Sequence, residues 1–268
     1  MKFGLNSKIE NDTVAVEEPL EIRLSWPSGD GFEERKVAIT MRTPGNDYEL
    51  SIGFLFTEGI IQSIKQVLSV CRPKENTDQI TSNIIIVNCS GSFSEDVLTE
   101  RNFYITSSCG ICGKSSIDAL KTKSSYLIAD DDFSVSVDTI SRLPQQLISS
   151  QEIFEGTGGI HAAGLFDQQG IVGNVFEDIG RHNALDKLIG SHLENNHLPL
   201  NNFGVLVSGR ASFELVQKAM MAGCSMLAAV GAPSSLAIDL AWESNMTLVA
   251  FLRDGRFNVY SGKSRIRR

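Results

Sequence analysis

Residues 159–194 read GIHAAGLFDQQGIVGNVFEDIGRHNALDKLIGSHLE, and this stretch decides the fold. Two apolar runs, 159–166 and 170–176, flank Asp167-Gln168-Gln169, which predicts an antiparallel hairpin. A helix is predicted from about Ile179 to Glu194, with Ile179, Leu185, Leu188 and Ile189 as its inner stripe and Asp178 as its N-cap. Downstream the pattern alternates. Strands are predicted over 203–207, 226–230 and 247–252, helices over 211–222 and 234–244, and a turn at Asp254-Gly255 leads into a last strand. Parallel neighbours need crossover connections, so these units imply an α/β fold: a mixed sheet with helices on both faces. In such sheets ligands sit beyond the carboxyl ends of the strands, where turns into helices present backbone N–H groups.

Upstream, to roughly residue 115, the chain reads mostly as strands over 20–25, 36–41 and 83–88. One helix begins after Asp47, carries Ile52, Leu55 and Phe56 at helical spacing, and stops at Gly59. Segments 73–80 and 90–96, rich in Asn, Thr, Ser, Asp and Gly, read as loops. Further helices are expected over 115–120 and 139–151. Two domains follow, a mostly β unit over 1–115 ending in a cysteine loop and an α/β unit over 116–268. With 268 residues, 42% of them hydrophobic and 21% charged, the chain can bury a substantial core, which excludes disorder and coiled coil. The net charge of -8 gives no general attraction to nucleic acid or to an anionic membrane. The N-terminus shows no signal-peptide pattern, and the uncharged run 219–238 is broken by Gly223, Gly231 and Pro233. The expected address is therefore cytoplasmic, without a membrane segment.

Five cysteines, an odd number, suit reduced thiols better than a disulfide framework. Two form Cys109-Gly110-Ile111-Cys112, followed by Lys114. A thiol of ordinary pKa near ~8.5 is only slightly ionised at neutral pH. A helix N-terminus and a neighbouring lysine favour the thiolate, and lowering the pKa by one unit takes only about 1.4 kcal/mol. The alternatives for this pair are half of a structural zinc site, two reduced cysteines in a loop, and a dithiol oxidoreductase. Zinc needs two further ligands, and among Cys71, Cys89, His161 and His182 no second close pair exists, so no metal is expected.

Four glycine- or arginine-bearing segments stand at predicted strand ends. Gly156-Thr157-Gly158-Gly159-Ile160-His161 can cradle a phosphate or simply open the hairpin, with His161 either packed or donating beside a ligand. Gly180-Arg181-His182-Asn183 crowds polar groups into a first helical turn, more than capping requires. Ser208-Gly209-Arg210 offers a close backbone and a forked donor, although Arg210 can instead pair with Glu214. Ala232-Pro233-Ser234-Ser235 is explained by a serine N-cap, and Phe251-Leu252-Arg253-Asp254-Gly255-Arg256, read alone, by a solvated hairpin turn.

Taken together, these segments resemble the FdhD/NarQ family of formate dehydrogenase accessory sulfurtransferases. The likeness extends through Arg42-Thr43-Pro44-Gly45, Gly53-Phe54-Leu55, Thr57-Glu58-Gly59, Ser108 to Gly113, Glu177 to Ala184 and Asn258-Val259-Tyr260. The resemblance implies a sulfur carrier. A cysteine desulfurase loads Cys109, matching the family's persulfide position, with Cys112 as its partner. Sulfur then passes to the molybdenum cofactor, bis-molybdopterin guanine dinucleotide, in support of formate dehydrogenase. It also implies a homodimer and a C-terminal domain with the cytidine-deaminase-like three-layer mixed sheet. The cofactor is assigned to that domain, at 251–256 with Gly158, Gly159, His161, Arg181, His182 and 208–210, where GDP or GMP would mimic it. Deaminase chemistry is not expected, because that requires H-x-E upstream of P-C-x-x-C, whereas every histidine here follows Cys112 and Ser108 stands in place of the proline. Two other functions are compatible with the same residues: a cofactor-binding chaperone without sulfur transfer, and a dithiol oxidoreductase.

Overall fold

A computed structural model of the chain describes residues 11–73, 83–93, 126–128, 133–253 and 255–268. In the first strand, β1 (Glu18–Ser28), Leu20, Ile22 and Leu24 point to one side and are fully buried. This period-two pattern fixes which face of the sheet meets the core. β1 pairs antiparallel with β2 (Gly31–Arg42) and parallel with β4 (Ile84–Cys89), and β3 (Val67–Cys71) closes the far side, giving the order β2-β1-β4-β3. Helix α1 (Asp47–Thr57) inserts Leu50 beside Leu20, Ile22 and Ile85.

The remaining elements run β5 (Val135–Ser136), α2 (Val137–Ser149), α3 (Glu152–Thr157), β6 (His161–Phe166), β7 (Val172–Asp178) and α4 (Arg181–Glu194). After them come β8 (Gly204–Val207), α5 (Phe213–Met221), β9 (Met226–Ala229), α6 (Ser235–Glu243), β10 (Thr247–Arg253), β11 (Arg256–Ser261) and the short β12 (Ile266–Arg267). They form a six-stranded sheet of order β11-β10-β9-β8-β6-β7, in which β8, β9 and β10 are parallel and β6 runs antiparallel to β8. The molecule is thus α/β, with the expected hairpin and helix-strand units in place.

Both faces of this sheet are buried, and alternate residues serve different cores. Val205 and Val207 of β8 and Leu227 and Ala229 of β9 face α1, α4, α5 and α6. Leu206, Met226 and Ala228 face the side covered by Ile140, Leu143 and Leu147 of α2. At Phe251 the backbone takes a left-handed φ of 53°, and the pairing of β10 with β11 is irregular between Ala250 and Arg253. The alternation therefore slips there, and Leu252 turns back into the α2-side core, fully buried.

Two helices far apart in sequence, α1 and α4, meet at close range. A Cβ on Gly53 of α1 would stand 1.9 Å from the Asp186 carbonyl oxygen of α4, and one on Gly190 would stand 1.9 Å from the Glu49 carbonyl oxygen. Only glycine permits this backbone contact. The first core is accordingly continuous, running from Leu24 and Val87 through Ile52 and Leu55 to Leu185 and Leu188.

The structure corrects the capping of α4. Its N-cap is Gly180, not Asp178. Asp178 is fully buried and pairs with Lys187 at 2.8 Å, while Thr43 N, Gly180 N and Asn183 Nδ2 donate to it. A carboxylate with a buried cation in reach holds that site more strongly than a helix end would. Ser234, as expected, caps α6 by accepting from Ala237 N. The predicted helix over 115–120, Cys109, Cys112, Lys114, most of the two predicted loops and the boundary between residues 115 and 116 lie outside the described residues.

Candidate functional site

The C-terminal ends of β7, β8, β9 and β10 and the start of β6 share one edge of the six-stranded sheet. Backbone hydrogen bonds continue past the strands there. Ser208 N donates to Ala162 O at 3.0 Å, Gly231 N to Gly209 O at 2.9 Å and Phe251 N to Gly231 O at 3.0 Å. Gly231 makes this possible, since a Cβ on it would fall 2.9 Å from the Arg210 Cα and N. The segments around His161, Arg181, Ser208 and Phe251 are thereby gathered at one edge, as the fold rule for α/β sheets demands.

A cleft of about 480 Å³ opens at this edge. Gly158, Gly159, His161 and Ser208 line it, together with Ile179, Val230 and side chains from α2 and α3. Gly158 closes α3 in the left-handed region, with φ 64°, and Ser208 Oγ accepts from Ala162 N at 2.9 Å. The Ser208 hydroxyl and His161 Nδ1 are 3.5 Å apart. A Cβ on Gly209 would lie 3.4 Å from His161 Nδ1 and 3.5 Å from Arg181 Cδ, so Gly209 lies close against both side chains. Arg181 Nε is buried and has no hydrogen-bond partner among the described residues.

His182 sits one residue further along and faces α5. Its Nε2 lies 3.3 Å from Ser212 Oγ and 4.0 Å from Glu214 Oε2. Burial, then Lys218 and Arg181, push its pKa down to about 4. Burial and then Arg181 also lower that of His161. Both rings are therefore neutral at pH 7, each with one donor and one acceptor nitrogen. The positive charge of this edge comes from arginine.

The other expected residues do not line the cleft. Arg210 is exposed and makes no ion pair with Glu214, because α5 begins only at Phe213. Phe251, Arg253, Gly255 and Arg256 are exposed around the β10–β11 turn, where Gly255 has φ 74°; Asp254 lies outside the described residues. The Leu252 side chain belongs to the core. Among the described residues no three His, Cys, Asp or Glu side chains are placed to hold a metal, and no helix is long and apolar enough to cross a membrane.

Sequence reasoning missed three features that build this edge. Thr43 accepts from Ile179 N through Oγ1 at 3.1 Å and from Lys187 Nζ through its carbonyl at 2.9 Å, anchoring the start of α4 to the N-terminal part. Beneath His182, Lys218 Nζ donates to Thr57 Oγ1, Glu58 Oε1 and Asp186 Oδ2 at 2.9, 3.0 and 2.9 Å. Gln151, 4% exposed, lines the cleft from the junction of α2 and α3. The first two involve Thr43 and Thr57-Glu58, which belong to the family-like motifs of the sequence; nothing in the sequence marks Gln151.

Comparison with known proteins agrees over almost the whole chain. The FdhD/NarQ family model matches residues 15–267. A protein of Streptomyces coelicolor named sulfur carrier protein FdhD is 48% identical over 259 residues, 95% of this chain and 89% of the relative. The protein of that name from Mycolicibacterium paratuberculosis is 48% identical over 258 residues, 95% and 92% of the two chains. Among solved structures, one described as a formate dehydrogenase accessory protein from Desulfotalea psychrophila superposes with a TM-score of 0.68 at 25% identity, covering 96% of this chain and 91% of that one. With a family model spanning all but the ends and relatives this similar, the chain belongs to the FdhD/NarQ family.

Proposed function

We propose that this chain is a cytoplasmic persulfide carrier that takes sulfur from a cysteine desulfurase and delivers it to a molybdenum cofactor bearing guanine nucleotides, in support of formate dehydrogenase. The observation that carries this reading is the 48% identity, over 95% of the chain, to proteins named sulfur carriers, combined with the Cys109-x-x-Cys112 pair. Thiol chemistry agrees. Burial pushes the Cys89 thiol up to about 11, and Cys224 is fully buried with Sγ 3.1 Å from the Met226 carbonyl oxygen. Neither suits a nucleophile. Of the three described cysteines only Cys71 is exposed.

In the proposed cycle the Cys109 thiolate attacks the terminal sulfur of the donor's persulfide. The donor's S–S bond breaks, a Cys109 persulfide forms, and the donor leaves as a thiolate. The Cys112 thiolate then attacks Cys109 Sγ, the persulfide bond breaks, and sulfur departs as hydrosulfide while a Cys109–Cys112 disulfide forms. An external dithiol reduces that disulfide. The substrate's nucleotide end is assigned to the cleft edge, where apolar walls suit a base and the exposed Arg210, Arg253 and Arg256 suit phosphates. A two-fold dimer would offer two such edges to the two nucleotide arms.

The test is mass spectrometry after incubation with desulfurase and cysteine. One added sulfur is expected in the peptide carrying Cys109, absent in Cys109→Ala and retained in Cys71→Ala. Sulfur found on Cys71 with none on Cys109 would overturn the assignment.

A further inference from the structure

The side-chain amide of Gln151 has no assigned role. Its residue sits at the N-cap position of α3 but does not cap it. The α3 N–H groups are already taken, because the Glu177 carboxylate of β7 accepts from Ile153 N at 2.8 Å and from Phe154 N at 2.9 Å. The Gln151 backbone is satisfied too: its N–H donates to Ile148 O, and its carbonyl accepts from Glu155 N, both at 3.1 Å. Only the amide is left over. Gln151 is 4% exposed, and its Nε2 is buried without a hydrogen-bond partner among the described residues. Buried amides in native proteins are almost always paired, so an orphan at the wall of a cleft asks for a partner inside it.

The surroundings define that partner. Leu147, Ile148, Phe154, Ile160, Ile179 and Val230 present apolar surface around the amide, and the polar groups Ser208 and His161 stand at the β6–β8 side. A volume of about 480 Å³ matches a planar ring system with room to spare. A glutamine amide offers a donor and an acceptor side by side, and a half-turn about its last torsion exchanges them. It therefore complements a heterocycle with a donor and an acceptor on adjacent edge atoms.

We propose that Gln151 holds the base in the cleft, its amide hydrogen-bonding the donor-acceptor edge of a purine ring held between the α2–α3 junction and the ends of β8 and β9. This rests on the reading of the edge as the seat of the substrate's nucleotide end, and it adds which residue reads the base.

Calorimetric titration of the full chain with GMP and with AMP tests it, using wild type, Gln151→Leu and Gln151→Glu, with melting temperatures recorded for each. Gln151→Leu should weaken GMP and AMP alike, each roughly tenfold, the usual effect of losing a buried hydrogen bond. Gln151→Glu should retain GMP and weaken AMP, because a carboxylate accepts from both the ring N–H and the amino group of guanine and adenine lacks that pair. This second variant also keeps the test valid if the leucine variant fails to fold. GMP binding unchanged in both variants would overturn the role of Gln151 and leave the nucleotide assignment standing. If wild type bound no GMP while Cys109 still acquired sulfur, the base-reading proposal and the nucleotide assignment would both fall, and sulfur carriage alone would survive.

Discussion

Burial is the main penalty on the protonated form of the His182 ring, Lys218 and Arg181 add to it, and Glu214 and Glu58 oppose it more weakly. Its folded pKa of about 4 lies below the ordinary 6.5. Between these two values the unfolded chain binds a proton that the folded chain refuses, so acidification through this window favours unfolding. Above pH 6.5 the effect is constant and the neutral ring is fully tolerated. Denaturant titrations of wild type and His182→Gln at a series of pH values read this directly. The stability difference between the two proteins should be flat above pH 6.5 and should shift against wild type as pH falls toward 4. A difference that stays constant across that range would show that the ring is not held neutral by its neighbours. A neutral His182 can exchange hydrogen bonds with Ser212 but cannot serve as a fixed cation for phosphate, which leaves that role to the arginines of this edge.

Gly53 on α1 and Gly190 on α4 control how closely these helices approach. Alanine at either position drives a methyl group into a backbone carbonyl, where no rotamer change can relieve it. Each substitution should cost about 1–3 kcal/mol or more as the helices are forced apart. Gly156 on α3 has nothing within 4 Å of its would-be Cβ, so Gly156→Ala should be neutral or stabilising by about 0.5–1 kcal/mol. Urea midpoints of the three variants decide this; a Gly53→Ala protein as stable as wild type would show that the helices repack freely. Period and punctuation made the elements themselves legible. The run from 159 to 194 gave hairpin and helix because Asp167 closes a tight turn, its carboxylate accepting from Gln169 N and Ile171 N at 2.9 Å, and because Leu185, Leu188 and Ile189 keep helical spacing. The sheet edge followed from the order of elements. What stayed illegible depends on pairing across distance: Asp178 meets Thr43 and Lys187 rather than capping its own helix, and Lys218 meets Glu58. Gln151 is orphaned only because Glu177, from another strand, occupies the N–H groups it could have capped. No spacing within a segment encodes those encounters.

The four-stranded and six-stranded sheets share a core, and this decides how the molecule should come apart. Trp26 of β1, 3% exposed, packs in the same cluster as Leu185 of α4 and Val207 of β8. The buried ion pairs reinforce the join. Lys218 of α5 is held by Glu58 as well as by Asp186, and Lys187 of α4 reaches the Thr43 carbonyl as well as Asp178, so separating the two sheets would take one partner from each buried ammonium. Exposing the shared apolar core and removing those partners is costly on the scale of a typical domain's stability, so a state with one sheet folded and the other melted should be scarcely populated. Amide hydrogen exchange read by mass spectrometry under increasing denaturant tests this. Peptides covering β1 and β4 should converge on the same opening free energy as peptides covering β8 and β9, and Trp26 emission should change at the same denaturant concentration as far-UV ellipticity. Earlier opening of the four-stranded sheet, with the β8 and β9 amides still protected, would mean that the shared core is not what binds the halves. In that case the Thr43 anchor at the start of α4 could release on its own, and the cleft edge would be shaped by the six-stranded sheet alone.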